Sequence, residues 1–486
     1  MMNQNVALPS SQAASEPKSH KVAIFGGGLA GLAAAQALSA QGLQVELHEA
    51  RTRLGGRASS FVDQTTGEVI DNCQHVAMGC CTNYFHFCQQ AGLTDHFRQL
   101  DALLFIDQHQ QRSLFKNSLL PAPFHLALSF LKMRHFNWRE RWEIVRGLRQ
   151  LLKSNTYPES FQHWLDTHHQ SPHVQRDFWQ VILVSALSES LDRIQFSAAR
   201  QVFLQGFINH RDAWKVSLPT TSLDELYGSA LEQQLQQQGV VLRRQSRLKE
   251  VLLEDQQVSR VLLSSGEEVT ADTYLIALPW HTLSRLFPED RVRPQFCQQA
   301  TQMESAPIAS VHLWFDRPLM NDTHAVLLGR LSQWIFNRSA IQRVENPERY
   351  YYQVVISQSR ELANWKQEEI IGKVLSELEE IWPAAFRQAT LVHSRVVREH
   401  QAVFSVTPES DQFRSDQQTE IANLYLAGDW TQTGWPATME GAVRSGYLAA
   451  EKILRQYGIP AKILQPDLPR SPLMNWLRVS SPTETG

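Results

Sequence analysis

The feature that most constrains this sequence is a glycine triplet directly after a short apolar run. Residues 22–25, Val-Ala-Ile-Phe, suit a buried strand and lead straight into Gly26, Gly28 and Gly31 at G-x-G-x-x-G spacing. Residues 29–40 are rich in Ala and Leu and contain no Pro, which predicts a helix. A strand, a glycine turn and a helix in this order place helical N–H groups where a phosphate can bind, and Gly26 and Gly28 let it approach closely.

A second strand and an acid complete a nucleotide-binding pattern. Residues 44–48 alternate as a strand does, and Glu49 follows about 20 residues beyond the glycines, where a carboxylate binds the hydroxyls of an unmodified ribose. A glycine turn before a helix also arises for structural reasons alone. The full order of strand, helix, strand and acid nevertheless favours a Rossmann-like dinucleotide domain.

A glycine pair beyond the acid decides between two dinucleotides. Gly55 and Gly56 lie between Arg53 and Arg57, and a bare nicotinamide domain does not need such a segment. The glycines would let main chain approach an extended FAD, and the guanidinium of Arg57 could neutralise pyrophosphate oxygens. The simpler interpretation is a basic turn.

The C-terminal part supplies a matching end of the same site. Residues 424–428, Leu-Tyr-Leu-Ala-Gly, suit a strand that ends at Gly428, and a helix is predicted from about Met439. Asp429 can accept from ribityl or ribose hydroxyls. The helix N-terminus would stabilise negative charge on the N1/O2 edge of a reduced flavin.

Both ends resemble the FAD-dependent amine oxidase and phytoene desaturase superfamily, and more narrowly the squalene-associated hydroxysqualene dehydroxylases. The segments that carry the resemblance are 71–75 (Asp-Asn-Cys-Gln-His), 79–80, 178–187, 218–219, 277–280 and 428–442. Cys73 departs from the pattern, since relatives usually carry Gly there. The resemblance implies a contact between the backbone of Val251 and the adenine, and an apolar tunnel for the substrate lined by Phe178, Trp179, Val181, Ile182, Leu183 and Phe203.

The expected fold class is α/β, with a Rossmann-like FAD-binding domain assembled from discontinuous segments and an α+β substrate domain. This is the two-domain arrangement of amine oxidases and GDP-dissociation inhibitors. The predicted segments are 1–20 (disordered extension), 21–80, 215–285 and 415–456 (FAD domain), 81–214 and 286–414 (substrate domain), and 457–486 (C-terminal tail).

Three functions compete under this resemblance. The first is reductive removal of the hydroxyl of hydroxysqualene, giving squalene for hopanoid or triterpenoid synthesis by hydride transfer from flavin N5. The second is oxidation of a carotenoid precursor by desaturation, or of an amine. The third is a flavin-free prenyl-binding escort, which the retained Glu49, Gly56, Arg57 and Asp429 disfavour.

The dehydroxylase reaction needs an electron source and a proton source. No second G-x-G-x-x-G follows a strand, so an external electron donor is expected. His75 is the candidate general acid, because imidazole titrates near neutral pH and the family places this segment beside the flavin ring. A structural histidine bonded to backbone is the alternative.

Composition excludes some partners. A formal net charge of −3 over 486 residues gives no basic excess for nucleic acid. Five cysteines without a CxxC pair, with the nearby His75 and His86 not at zinc-ligand spacing, predict free thiols and no metal.

One segment suggests contact with a membrane surface. A helix is predicted over residues 132–153, which carry seven Lys or Arg against two Glu, with Trp138, Trp142 and Val145 on an apolar face. An ordinary solvated helix packed by that face is equally consistent. No run reaches the roughly 18 apolar residues needed to cross a bilayer. We therefore expect a cytoplasmic protein that can contact the inner face of the cell membrane.

Overall fold

The computed structural model describes residues 20–154, 160–287, 293–344 and 348–476. The predicted extension, residues 1–20, therefore lies outside the described residues except for His20. The strands are β1 Lys21–Phe25, β2 Gln44–His48, β3 Ser60–Val62, β4 Val69–Asp71, β5 Ala77–Met78, β6 Phe97–Gln99, β7 Leu103–Ile106, β8 Arg112–Phe115, β9 Val216–Pro219, β10 Val241–Arg243, β11 Leu248–Glu254, β12 Gln257–Leu263, β13 Glu268–Val269, β14 Thr273–Ile276, β15 Ser305–Phe315, β16 His324–Leu327, β17 Trp334–Asn337, β18 Tyr350–Ile356, β19 Leu391–Phe404 and β20 Leu424–Leu426. The α-helices are α1 Leu29–Ala40, α2 Thr82–Gln90, α3 Ala127–Lys132, α4 Trp138–Lys153, α5 Phe161–Thr167, α6 Pro172–Val174, α7 Val181–Leu187, α8 Phe196–Phe203, α9 Leu231–Gln237, α10 Gln295–Thr301, α11 Arg338–Ile341, α12 Gln367–Ile381, α13 Pro383–Phe386, α14 Met439–Gln456 and α15 Pro472–Trp476.

A parallel sheet in the order β10-β2-β1-β14-β20 forms the centre of the nucleotide-binding part. Its middle strands are apolar and almost fully buried, as strands covered on both faces must be. α1 packs closely on α14, because a Cβ at Gly446 would lie 2.3 Å from the carbonyl oxygen of Ala30. The predicted Rossmann-like fold, built from segments far apart in the chain, is confirmed.

A second sheet faces the first across the molecule. Its strands lie in the order β19-β15-β18-β17-β16-β7-β8, and all neighbours are antiparallel except β16 and β7. α12 covers one face of this sheet through Ile370, Val374 and Leu378, all of them buried. The helices between residues 127 and 208 close the side of the space between the two sheets.

The prediction of one helix over residues 132–153 is wrong at its N-terminal end. α3 ends at Lys132 and α4 begins only at Trp138. The reason is a capping box, in which the Asn137 side chain accepts from the N–H of Glu140 at 3.0 Å and the Glu140 carboxylate accepts from the N–H of Asn137 at 2.8 Å. This reciprocal pair starts a new helix after a bend.

The segment predicted as a C-terminal tail packs on the protein as far as it is described. The Glu451 carboxylate of α14 accepts from the N–H groups of Ile463 and Leu464 at 2.6 and 2.8 Å. Met474 is fully buried in the main core. Residues 477–486 lie outside the described residues.

Candidate active site

A large cavity lies between the two sheets and reaches the carboxyl ends of β1, β2 and β20. Its volume is about 1880 Å³, which exceeds the roughly 300–1,000 Å³ typical of a pocket for one drug-sized ligand. One part is lined by glycine loops and charged groups, and the other by aromatic and aliphatic side chains. The predicted site residues that line it are Gly26, Gly28, Glu49, Gly56, Arg57, His75, Gly428, Asp429 and Met439.

The first glycine loop forms a cradle that side chains would fill. Gly26 has φ +116°, and a Cβ there would lie 2.4 Å from the carbonyl oxygen of Ala277. Gly31 does not line the cavity; a Cβ on it would lie 2.0 Å from the Gly26 carbonyl oxygen, so it allows α1 to approach the loop. Gly28 faces open cavity space, because a Cβ added to it would come no closer than 3.9 Å to Gly56 Cα. The loop therefore fits a diphosphate at the N-terminus of α1.

Glu49 holds this loop in place while it faces the cavity. Its Oε2 accepts from the N–H of Gly27 at 2.7 Å, and its Oε1 accepts from the N–H of Arg51 at 2.8 Å. Two carboxylate oxygens offer about four lone-pair sites, so acceptor capacity remains for ribose hydroxyls.

The second glycine loop lies directly against the first. The N–H of Gly55 donates to the carbonyl oxygen of Gly27 at 2.8 Å, and Gly55 and Gly56 have φ of +90° and +64°. Next to it, the Arg57 guanidinium donates to the Asp429 carboxylate at 2.5 Å and to the carbonyl oxygen of Ala402 at 2.7 Å. The cation and the anion predicted for the site therefore lie side by side at the cavity wall.

A buried arginine that the sequence did not indicate shapes the loop after Asp429. Arg414 donates to the carbonyl oxygens of Thr431 and Trp435 at 2.6 and 2.7 Å and to that of Asp429 at 3.2 Å. Burial lowers the pKa of Arg414, but guanidinium stays charged in proteins. No local pattern marks this residue, because these acceptors lie in a loop 15 or more residues away.

The N-terminus of α14 points its first residues at the cavity, as predicted. The Thr438 hydroxyl caps it by accepting from the N–H of Gly441 at 3.0 Å. Glu440, also at the lining, is fully buried and accepts from the N–H of Tyr84 at 2.8 Å and the amide of Asn83 at 2.9 Å. Burial raises the pKa of Glu440, while the N–H donors of Tyr84 and Asn83 and the charge of Arg444 at 3.6 Å act against that shift.

A loop from Asp71 to His75 forms another wall. The Asn72 amide donates to the carbonyl oxygen of Arg57 at 2.5 Å, which ties the loop to the second glycine loop. At its start, Asp71 accepts from Arg338 of α11 at 2.9 Å, and both side chains are only 1% exposed. Cys73, the departure from the family pattern, is a neutral thiol, because burial raises its pKa to about 12.

His75 lines the cavity in its neutral form. Burial lowers its pKa below the ordinary 6.5. Its Nδ1 lies 2.9 Å from the carbonyl oxygen of Cys73, which can only accept, so Nδ1 carries the proton. Nε2 is then an unprotonated acceptor. This tautomer suits a proton acceptor better than the general acid that the sequence suggested.

The rest of the cavity is an apolar tunnel. Among the residues predicted to line it, Phe178, Val181, Ile182 and Phe203 do so, whereas Trp179 and Leu183 are fully buried in the core behind it. Large aromatic residues that the sequence did not single out complete the lining: Phe105, Phe115, Trp214, Trp334 and Phe336. They come from strands of the antiparallel sheet and from a loop, and only the fold brings them together.

Val251, for which the resemblance implies an adenine contact, does not line the cavity. Its N–H donates to the carbonyl oxygen of Leu286 at 2.7 Å, and its side chain lies in the core. Within β11, the described residues at the cavity are Leu248 and Lys249. A register shift between Leu248 and Glu250 turns the strand there.

The described residues hold no group of three or more His, Cys, Asp or Glu side chains arranged for a metal ion. The cradle, the acid at the end of β2, the Arg57–Asp429 pair and the helix N-terminus instead fit a flavin dinucleotide. The fold and the cavity thus define a two-domain flavoprotein oxidoreductase that uses FAD.

The chain belongs to the flavin containing amine oxidoreductase family, whose model matches residues 29–454. It is 26% identical over 457 residues to the 15-cis-phytoene desaturase of Synechococcus elongatus, covering 89% of this chain and 96% of that protein. It is 27% identical over 477 residues to the zeta-carotene desaturase of a Synechocystis species, covering 89% and 97%.

Solved structures agree on the fold. Cyclohexylamine oxidase from Brevibacterium oxydans matches with a TM-score of 0.64 at 17% identity, covering 90% of this chain and 100% of that one. A putrescine oxidase matches with a TM-score of 0.67 at 15% identity, covering 90% and 99%. The amine oxidase and phytoene desaturase part of the predicted resemblance is confirmed, and the two relatives named above are desaturases of phytoene and zeta-carotene rather than hydroxysqualene dehydroxylases.

Proposed function

We propose that this protein is an oxidative desaturase of a long isoprenoid chain of the carotenoid-precursor type. The observation that carries the proposal is the continuity of the cavity, in which the flavin-binding loops and an aromatic tunnel share one space of about 1880 Å³. That volume leaves room for a long apolar substrate beside the dinucleotide. The carotenoid desaturases among the relatives support the same substrate class.

The tunnel would bind the substrate by burying apolar surface and excluding water. Phe178 and Ile182 from the helical part and Trp334 and Phe336 from β17 line the tunnel, and they offer no strong polar partner to a hydrocarbon. Trp334 can lie there because its indole N–H donates to the Ser185 hydroxyl at 2.9 Å. Substrate position is therefore set by shape and length.

Desaturation removes a hydride from one carbon and a proton from its neighbour, and the two electrons left between them form the new double bond. A bound FAD would supply the acceptor for the hydride, and an external acceptor would be needed to take up the two electrons. His75 is suited to take the proton, since its Nε2 is unprotonated and its ring lines the cavity. After transfer, burial and the charges of Arg57 and Arg338 would oppose the imidazolium, while the Cys73 carbonyl oxygen and the Asp71 carboxylate would partly offset them, so the proton would be held only briefly.

A second candidate is the reductive removal of a hydroxyl from hydroxysqualene. It is favoured by residues 428–442, which resemble the squalene-associated branch more specifically than any other segment. This reaction needs a proton for the leaving water and an external electron donor. Neutral His75 could accept a hydrogen bond from the substrate hydroxyl at Nε2, and it would have to bind a second proton before it could donate one from that atom.

The two reactions run in opposite redox directions, so one paired experiment separates them. Flavin-loaded protein is incubated anaerobically with phytoene while the FAD is oxidised, and with hydroxysqualene while the FAD is photoreduced. The lipids are then extracted and analysed by mass spectrometry. Loss of two hydrogen atoms from phytoene supports the desaturase, whereas squalene formed only with reduced FAD supports the second candidate. If fully flavin-loaded protein formed neither product, both proposed reactions would be overturned.

A further inference from the structure

Large exposed apolar side chains are concentrated in one region. Within the described residues, two consecutive segments carry a dense group of them, which we term the apolar face: Leu119, Leu120, Phe124, Leu128, Leu131, Trp138, Trp142 and Val145. Leu119 is 95% exposed, Trp138 74% and Trp142 72%. The large exposed apolar residues elsewhere in the described part of the chain are mostly valines spread along the sequence. A concentration of exposed apolar side chains of this kind is typical of an interaction site.

The apolar face is not the side by which α4 packs on the protein. Ile144, Gly147 and Leu151 form the buried stripe of this helix. A Cβ at Gly147 would lie 2.8 Å from the Trp179 ring, so the helix sits very close to the core and its rotation is fixed. Trp138 and Trp142 therefore point outward on a second apolar stripe.

The cavity opens at this face. Phe124 and Val145 line the cavity and are also 52% and 43% exposed. Phe130, in the last turn of α3, and Met133, at the start of the bend, also line the cavity; in sequence they lie between Phe124 and Val145. An apolar tunnel that opens among exposed apolar side chains gives a hydrocarbon a path that avoids water.

The charge around the apolar face selects the partner. The exposed cations there include Lys132, Arg134, Arg139, Arg146 and Arg149. Both acids of the segment already have partners: Glu140 caps its helix and lies 2.8 Å from His173, and Glu143 accepts from the N–H of Ser171 at 3.2 Å and lies 3.7 Å from the guanidinium of Arg139, so four of the five exposed cations have no acid of this segment beside them. The outward charge is therefore positive, which complements anionic lipid headgroups.

No helix in the described part of the chain has the length and apolar composition to cross a bilayer. We propose that the apolar face docks on the surface of an anionic lipid bilayer, with Trp138 and Trp142 at the headgroup level and the opening beside Phe124 facing the acyl chains. Docking itself is independent of the substrate. The further step, direct passage of substrate from the bilayer into the tunnel, rests on the proposed function.

Vesicle sedimentation with the full, flavin-loaded chain tests the docking. We expect the protein to sediment with vesicles of phosphatidylcholine and phosphatidylglycerol at low salt, and to remain largely in the supernatant with phosphatidylcholine alone or at high salt. The double variant Trp138→Ala/Trp142→Ala should lower the partition coefficient at least about tenfold. Arg139→Gln/Arg146→Gln should lower it for anionic vesicles only. Trp365→Ala, at a 37% exposed tryptophan away from the face, is the matched control and should bind as wild type.

Three results would overturn the docking. They are wild-type protein left in solution with anionic vesicles at low salt, equal loss of binding in the Trp365 control, and a dimer in size-exclusion chromatography that Trp138→Ala/Trp142→Ala dissociates. The last would assign the face to a second copy of the chain. Sedimentation requires no turnover. Protein that binds vesicles but forms no desaturated product would therefore contradict the proposed function and leave the docking proposal intact.

Discussion

The guanidinium of Arg57 donates a hydrogen bond of 2.5 Å to the carboxylate of Asp429, although the two residues are 372 positions apart in the chain. The pair joins the second glycine loop to the end of β20, the two regions that the sequence assigned to one cofactor site. Arg57 is about one-third exposed and Asp429 is nearly buried, so the guanidinium keeps donors free at the cavity wall.

Arg57→Gln should weaken FAD binding about tenfold to a hundredfold, because a charged hydrogen bond contributes about 1.5–3 kcal/mol. Titration of the apoprotein with FAD, followed by flavin fluorescence, measures this change. Arg112→Gln, at an exposed ion pair with Asp322 on the antiparallel sheet, is the control and should bind FAD as wild type. Equal affinity in both variants would remove Arg57 from the cofactor site.

The two glycines of the first loop should respond differently to alanine. Gly28 has φ −79° and ψ 174°, which alanine adopts readily, and its Cβ would enter the cavity rather than the protein. We expect Gly28→Ala to fold with wild-type stability and to lose FAD. Gly26→Ala should instead destabilise the protein, because φ is +116° and Ala277 lies too close.

Thermal unfolding of the apoproteins together with FAD content separates these two effects. Gly372→Ala, in α12 with nothing within 4 Å of the new Cβ, serves as the control and should not be destabilised. If Gly28→Ala kept its full flavin content, the phosphate would not lie at this loop.

Local patterns predicted much of this site and missed what depends on distant contacts. The glycine loops, Glu49 and the start of α14 follow from short sequence signals, and they lie where the sequence placed them. The Asp71–Arg338 pair, in contrast, joins residues 267 positions apart, and no local pattern predicts their contact. Val251 is buried away from the cavity in a strand, β11, that has a register shift. Alternating apolar residues alone do not reveal such a shift.

Arg338→Gln should destabilise the protein by about 3–5 kcal/mol, because it leaves the buried Asp71 carboxylate without its charged partner. Urea unfolding followed by tryptophan fluorescence measures the change. Adding Asp71→Asn removes the uncompensated charge, so the double variant should be more stable than Arg338→Gln alone. A double variant that is less stable by the full sum of two single losses would show that the two side chains act independently.

The free energy of unfolding should fall on acidification in a window set by buried histidines such as His125. Burial lowers the pKa of His125 to about 4, and neither ring nitrogen has a hydrogen-bond partner among the described residues. The unfolded chain, with an ordinary pKa near 6.5, binds a proton that the folded protein does not. Stability from this group is therefore complete above pH 6.5 and is lost as the pH falls toward 4.

His125→Leu should remove this contribution, which reaches about 1.4 kcal/mol per pH unit for one proton. Urea unfolding at a series of pH values measures the slope for wild type and variant. The exposed His163 provides the control, since His163→Leu should leave the slope unchanged. A wild-type slope in His125→Leu would assign the acid sensitivity to other groups.

His75 gives the sharpest test of the proposed chemistry. Because burial lowers its pKa below 6.5, Nε2 is unprotonated at neutral pH, and kcat/KM for desaturation should be flat there and fall only on the acid side. His75→Gln should lower turnover about a hundredfold or more and abolish this acid limb, while FAD content and melting temperature stay near wild type. Single-turnover reduction of the bound flavin by substrate, followed by absorbance across the pH range, measures the proton-linked step directly. A variant that keeps the wild-type rate, or a wild-type rate that rises as the pH falls below 6.5, would exclude His75 as the proton acceptor.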